Sequence, residues 1–121
     1  MSAMMVRRRQ GVIVNVGSVL GLERPGVGAA VYAASKAGVV GFSRALMMEV
    51  GGRGVRVNVV VPGYVETEMV GGRVEGLRER GMRVGSAEEV ANVVGFLVGN
   101  EGMQGAEVVV DGGVRWGVGE K

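Results

Sequence analysis

The sequence predicts an α/β protein whose strands run parallel to one another. Three short runs rich in β-branched residues, at positions 12–16, 55–61 and 107–110, alternate with two longer stretches of helical character. Strands and helices that alternate along a chain are joined by crossovers, which place the strands side by side in one parallel sheet. We therefore expect one layer of parallel strands covered by helices.

The first half of the chain supplies a strand, a loop and a long helix. Residues 12–16 are bounded by Gly11 and Gly17, and we predict a strand buried on both faces. Residues 18–28 are punctuated by glycine and proline, which predicts a loop. Residues 29–50 contain six alanines, one leucine and two methionines and are followed by two glycines, which predicts a helix.

The second half repeats this alternation. A second strand is predicted at residues 55–61, where a Pro-Gly pair then stops it. Residues 64–85 are charged and irregular, with room for one short helix. Ser86 is the predicted N-cap of a longer helix that runs to residue 98, because two glutamates follow it in the first turn. The third strand, residues 107–110, is closed by Asp-Gly-Gly.

Three strands are few for a sheet of this kind. The first strand is apolar on both faces, and its outer edge would have no neighbour. Parallel sheets usually contain more strands and carry helices on both sides. We therefore expect the chain to begin in the middle of a larger fold, with residues 1–10 forming the end of a helix.

The composition excludes several classes of chemistry. The 121 residues include no cysteine and no histidine, so thiolate nucleophiles, His-ligated metals and Ser-His-Asp triads are excluded, and no metal site is predicted. Proton transfer would have to come from tyrosine, lysine or carboxylates. The net charge is +2 and the arginines are scattered, so no nucleic-acid partner is predicted. No apolar run approaches the ~20 residues of a membrane span.

The N-terminal residues leave two interpretations of localisation open. Arg7, Arg8 and Arg9 occur before any acidic residue, which fits either the last turns of a surface helix or a mitochondrial presequence. No secretory signal is visible, so a reducing intracellular compartment is the default expectation. We expect a cytoplasmic protein, with mitochondrial localisation as the alternative.

Tyr32 and Lys36 are the residues best suited to chemistry. They are four positions apart near the start of the predicted helix, which places both on one face. A lysine ammonium beside a phenol favours the phenolate, and such a tyrosine can exchange a proton with an alcohol or carbonyl oxygen. Ser18 follows the first strand, where ligands bind in open α/β sheets, and could hold the same oxygen. Taken alone, the Tyr-x-x-x-Lys pair is a weak pattern, and an ordinary pair on a helix surface is the better interpretation.

Three motifs occur together and identify a family. They are Asn-Val-Gly-Ser at 15–18, Tyr-Ala-Ala-Ser-Lys at 32–36 and Asn-Val-Val-Val-Pro-Gly-Tyr-Val-Glu-Thr at 58–67. With this combination the chain resembles the C-terminal half of a short-chain dehydrogenase/reductase over about residues 4–114, and it most resembles the 3-oxoacyl-(acyl carrier protein) reductase type. The resemblance implies the C-terminal half of a Rossmann-like, doubly wound parallel sheet, with the N-terminal dinucleotide-binding half missing.

The resemblance also implies a role for individual residues. Tyr32 would be the general acid/base, Lys36 would assist it and bind the nicotinamide ribose, and Ser18 would orient the substrate carbonyl. Tyr32 and Lys36 would thus belong to the cofactor site as well. The rest of the implied nicotinamide pocket follows the second strand: Pro62, Gly63, Val65 and Thr67. Residues 69–83 would form a mobile substrate loop.

The implied activity is NAD(P)H-dependent reduction of a carbonyl, in a 3-oxoacyl thioester or similar ketone, to an alcohol. The resemblance favours NADP over NAD, a small-molecule substrate rather than a nucleic acid or membrane, and a homo-oligomer in the full-length protein. By this resemblance, residues 1–121 would form one partial domain. Its parts would be the end of a helix at 1–10, a catalytic half at 11–114 and a tail at 115–121.

A second hypothesis is a non-catalytic half-fold that docks onto a full-length relative. The unpaired edge at residues 12–16 favours it, whereas the intact Ser18, Tyr32 and Lys36 favour the enzyme. The chain also lacks the glycine-rich turn that binds the cofactor pyrophosphate, since residues 21–28 lie outside a strand-turn-helix context. We therefore expect the 121-residue chain alone to be inactive.

Overall fold

The structure is a computed structural model, and it describes residues 2–23, 26–68 and 70–121. Within these residues the strands and helices follow the alternating order that the sequence predicts. The elements are α1 (Ser2–Arg8), β1 (Gly11–Val16), α2 (Ala30–Val50), β2 (Val55–Pro62), α3 (Arg73–Glu79), α4 (Ala87–Gly99) and β3 (Glu107–Val110).

The three strands form one parallel sheet in the order β1-β2-β3, with β2 in the centre. Val16 at the end of β1 pairs with Val60, and Pro62 at the end of β2 pairs with Val110 at the end of β3. The carboxyl ends of all three strands therefore meet at one edge of the sheet. This confirms the predicted α/β fold with parallel strands.

β2 supplies most of the core. Its alternate residues Val55, Val57, Val59 and Val61 are buried and pack in two clusters with valines of α2 and of the turn after β1. The intervening residues of a strand point to the opposite face, where Leu97 of α4 is also fully buried. The central strand is thus covered on both faces.

The prediction that β1 is buried on both faces is wrong for this chain. Its residues are only half-buried, and Val16 is 47% exposed. The physical reason is that β2 pairs with one edge of β1, while no described strand pairs with the other.

The helix boundaries agree closely with the sequence. α1 ends at Arg8, within the predicted helix end at residues 1–10, of which Met1 lies outside the described residues. Ser86 is confirmed as the N-cap of α4, since its Oγ accepts a bond of 3.2 Å from the Glu89 amide. α3 is the short helix for which the irregular segment 64–85 left room. In the described ranges, no helix is long and apolar enough to cross a membrane.

Two polar side chains of β2 fix the end of α4 and the loop that follows it. The Arg56 guanidinium donates to the carbonyls of Leu97 at 2.7 Å and Val98 at 2.7 Å, which end the helix. The side chain of Asn58 is almost fully buried; it donates to the Met103 carbonyl at 2.9 Å and accepts from the Ala106 amide at 2.9 Å. Polar main-chain groups of the loop therefore have hydrogen-bond partners on side chains of β2, and these bonds fix the position of the loop.

Replacement of Asn58 by alanine is expected to cost about 2 kcal/mol of unfolding free energy, because the half-buried Ala106 amide loses its partner and the Met103 carbonyl keeps only its bond of 3.1 Å from Arg56. Urea unfolding of the variant measures the loss. Asn100→Ala is the matched control: its side chain also accepts from a backbone amide, at 3.0 Å, but on the surface, so a change within about 0.5 kcal/mol is expected. An Asn58→Ala loss no larger than that of the control would contradict this account.

Candidate functional site

Ser18 is held in place just beyond the end of β1. It is buried, and its Oγ accepts a bond of 3.2 Å from the Leu20 amide, which caps a single 3-10 turn at Val19–Gly21. This turn packs directly on α2: a Cβ atom at Gly21 would lie 2.6 Å from the backbone nitrogen of Ala37. Only a glycine permits this approach, so the turn that follows Ser18 packs closely on the helix that carries Tyr32.

Tyr32 and Lys36 lie one turn apart at the start of α2. The Lys36 ammonium donates to the Val16 carbonyl at 3.1 Å and lies 5.8 Å from the centre of the Tyr32 ring. Tyr32 itself is 41% exposed, so its ring remains accessible. The lysine thus joins the end of β1 to the first turn of α2 beside the phenol.

The third part of the site is the segment after β2. Gly63 donates to the Val110 carbonyl at 3.0 Å, and a Cβ atom there would lie 2.8 Å from the Cβ of Asp111, so the ends of β2 and β3 meet too closely for a side chain. Val65 forms an isolated parallel bridge with Gly85, one residue before the N-cap of α4. These contacts hold the segment at the carboxyl edge of the sheet.

All the site residues named from the sequence line one cleft of about 340 Å³, which we call the lysine cleft. They are Ser18, Tyr32, Lys36, Pro62, Gly63, Val65 and Thr67. The cleft also has walls that the sequence did not identify, since Val70 and the first-turn residues Ala87 and Val90 of α4 complete it. No sequence signal distinguishes these small apolar residues from ordinary core positions.

A second cleft of about 400 Å³ adjoins the first, and we call it the arginine cleft. It shares five residues with the lysine cleft: Ser18, Tyr32, Gly63, Val65 and Val70. Its other walls come from the turn after Ser18, the start of α2 and α3, including Leu20, Arg73 and Leu77. Tyr32 and Ser18 are therefore accessible from both clefts, and two ligands could meet at these side chains.

The predicted substrate loop, residues 69–83, contributes to this second cleft, although Met69 lies outside the described residues. The glycine-rich segment 21–28 is described except for Arg24 and Pro25, which also lie outside the described residues. Across the ranges that the structure does describe, no group of three acidic side chains is placed to hold a metal ion.

An ion pair secures the part of α4 that lines the lysine cleft. The Arg83 guanidinium donates to Glu89 at 3.0 Å, and Glu89 also accepts from the Ser86 amide at 3.2 Å. The hydrogen bonds from Arg83, followed by that from Ser86, lower the pKa of Glu89 to about 2. The same carboxylate raises the pKa of Arg83. The first turn of α4, with Ala87 and Val90, is therefore fixed by a charged capping box.

Comparisons with known proteins agree on one family. A family model of the short chain dehydrogenases matches residues 1–78. The 3-oxoacyl-[acyl-carrier-protein] reductase FabG of Chlamydia muridarum is 41% identical over 118 residues, which cover 91% of this chain and 47% of the relative. The 3-oxoacyl-[acyl-carrier-protein] reductase of Bos taurus is 45% identical over 114 residues, covering 92% and 48%.

Solved structures give the same result. A 3-oxoacyl-[acyl-carrier protein] reductase from Brucella melitensis superposes with a TM-score of 0.83 at 37% identity, covering 93% of this chain and 45% of that one. The chain thus spans about half the length of the curated relatives it matches.

Acid is expected to destabilise the protein in part through Glu89. Because the folded-state pKa of Glu89 is lowered from 4.5 to about 2, its ionised form stabilises the fold above about pH 4.5, and this contribution is lost as the pH falls through about 2. Thermal melting of wild type and Glu89→Gln across this range measures the effect. The melting temperatures of the two proteins should converge in acid. If the two melting temperatures differ by the same amount at every pH, the charge of the Glu89 carboxylate does not contribute to the acid sensitivity.

Proposed function

The chain belongs to the short chain dehydrogenase family, and on this premise we propose that it supplies the catalytic half of an NAD(P)H-dependent reductase, which converts a carbonyl compound to an alcohol. The observation that carries the proposal is the position of Ser18 and Tyr32, which line two adjoining clefts, with Lys36 beside the phenol. We assign the cofactor to the lysine cleft and the substrate to the arginine cleft. Residues 11–114 would form the catalytic half and 115–121 a tail.

Tyr32 would give the proton in this reaction, since it is the accessible acid that both clefts share. As the carbonyl carbon gains a hydride, its oxygen gains negative charge and takes the proton of the Tyr32 hydroxyl. Ser18 would hydrogen-bond the same oxygen. Its Oγ already accepts from the Leu20 amide, and within the described residues its own O–H donates to no protein group, so that proton is free for the substrate.

Lys36 would serve both the tyrosine and the cofactor. An ammonium has three donors, and in the described part of the chain only the Val16 carbonyl takes one. Two N–H groups therefore remain for the hydroxyls of a ribose. The positive charge also stabilises the Tyr32 phenolate that remains after proton transfer.

The lysine cleft has the chemistry that a nicotinamide riboside needs. Valine side chains give it apolar walls for a flat ring, and Lys36 and Thr67 give it polar groups at the rim. Pro62, Gly63, Val65 and Thr67 would hold the nicotinamide, which supplies a hydride when bound. The sequence resemblance favours NADP over NAD.

The names of the relatives point to the substrate class. Both curated relatives are named 3-oxoacyl-[acyl-carrier-protein] reductases, and we propose a 3-oxoacyl thioester or a similar ketone for this chain. The arginine cleft suits an acyl group, since Leu20, Val70 and Leu77 line it. We also propose a homo-oligomer, which the large exposed side chains Val31 and Phe42 of α2 favour.

Replacement of Tyr32 by phenylalanine is expected to lower turnover by about 100-fold or more, because the ring stays and only the proton donor is lost. Cofactor affinity should change by less than about twofold. The measurement is NADPH oxidation by the complete gene product with a short 3-oxoacyl thioester, alongside cofactor titration. Normal turnover of the variant would remove Tyr32 from the mechanism.

The two lysines of the chain provide a matched control for the same assay. Lys36→Met should weaken both turnover and cofactor binding, because it removes donors to the ribose and the charge beside Tyr32. The other lysine, Lys121, is not among the residues that line either cleft. Lys121→Met should therefore leave turnover and cofactor binding unchanged.

A second candidate function, docking of this half-fold onto a full-length relative, is favoured by the half-buried β1. The mass of the endogenous protein, detected with an antibody to its C-terminal tail, separates the two functions. We expect a band at about twice the 12.5 kDa of this chain, since the matched relatives are about twice as long. A band at 12.5 kDa that co-purifies with a longer family member would favour docking instead.

A further inference from the structure

Arg73 is the one charged residue among those that the structure places around the arginine cleft. It is the first residue of α3 and is exposed. The other described walls are glycines, aliphatic side chains, Ser18 and two tyrosines. A ligand in this cleft would therefore meet one cationic side chain among apolar or neutral groups.

Among the residues that the structure describes, Arg73 also has no ion-pair partner, unlike the arginines that follow it. All four of them pair with a glutamate: Arg78 with Glu66, Arg80 with Glu120, Arg83 with Glu89 and Arg115 with Glu23. Within residues 2–23, 26–68 and 70–121, no carboxylate lies at ion-pair distance from Arg73, and its side chain makes no hydrogen bond. Its guanidinium donors are therefore free at the wall of the cleft.

The charges of the residues that line the two clefts also favour an anionic ligand. None of the described residues that line either cleft is acidic, while Lys36 lies in one and Arg73 in the other. An anion in the arginine cleft would meet no repelling carboxylate. The planar guanidinium fork matches a carboxylate or phosphate with two parallel hydrogen bonds.

We propose that Arg73 binds an anionic group of the substrate, a carboxylate or a phosphate, while the apolar wall of the same cleft holds the chain that joins this group to the reacting carbonyl. The inference rests on the proposed function, since it takes the arginine cleft as the substrate site. It narrows the substrate from any ketone to one that carries an anionic group at a distance from its carbonyl. Arg73 is a specificity residue in this proposal, with no part in proton transfer.

The test measures binding rather than turnover. Methyl ketones with a terminal carboxylate on chains of increasing length, from 4-oxopentanoate to 7-oxooctanoate, are titrated into the complete gene product, each beside its uncharged methyl ester. Oxoalkyl phosphates of the same lengths form the second arm, and the tighter-binding arm identifies the anion. We expect the best acid or phosphate to bind about fivefold or more tightly than the matching ester, with the difference shrinking as salt is added.

Three variants connect this preference to Arg73. Arg73→Gln should abolish the preference for the charged probe and leave ester affinity unchanged, whereas Arg73→Lys should retain part of it because the charge remains. Arg78→Gln is the matched control: this arginine lies on the same helix but pairs with Glu66, and it should retain the full preference.

Two results would overturn the inference, and they differ from each other. If acids, phosphates and esters bind equally well, or if Arg73→Gln retains the preference, Arg73 does not read an anion, while the proposed reductase function still stands. If no ketone probe of either charge shows saturable binding, the arginine cleft is not a substrate site, and the proposed function fails together with the inference.

Discussion

The parallel ladder between β1 and β2 sets Val16 beside Val60, so that the two strands end within two residues of each other. Ser18 follows one strand, and Gly63 follows the other. A register shift of one residue would turn each strand's side chains to the opposite face, and the valines of β2 that pack on α2 oppose such a shift. The hydrophobic core thus determines where the candidate site can form.

The bond from Lys36 to the Val16 carbonyl adds α2 to this arrangement. The carbonyl belongs to the last residue of β1, so the lysine links the strand end to the helix that carries Tyr32. Gly21 makes the complementary contact, because its lack of a side chain lets the turn after Ser18 approach α2 at Ala37. One polar bond and one close approach therefore orient the serine, the tyrosine and the lysine together.

The sheet and much of the site could be predicted because their signals are local in the sequence. Strand ends are marked by Gly17 and by Pro62-Gly63, and a four-residue spacing on a helix specifies that Tyr32 and Lys36 share a face. Ser86 likewise carries its own signal in the glutamate three residues later, which completes a capping box.

Other features depend on contacts between residues distant in the chain, which no local pattern specifies. The Gln104 side chain, for example, accepts from the Val57 amide at 2.7 Å and donates to the Val55 carbonyl at 3.2 Å, so it pairs with β2 before β3 begins. Nothing around Gln104 indicates that partner. The burial predicted for β1 is wrong for a related reason. An apolar run indicates that a strand is suited to burial, but the elements packed beside it decide how much of it is buried.

The two clefts differ in how firmly the fold holds their walls. The lysine cleft is built on the ends of strands and on the first turns of the long helices α2 and α4. The arginine cleft depends instead on a 3-10 turn and on α3, a seven-residue helix whose one buried side chain is Val74. Residues of α3 other than Val74 can therefore change with little cost to the core, because they are mostly exposed. In the proposed reductase, the groups assigned to proton transfer would therefore be constrained by packing, whereas the residues assigned to substrate selection would be free to vary.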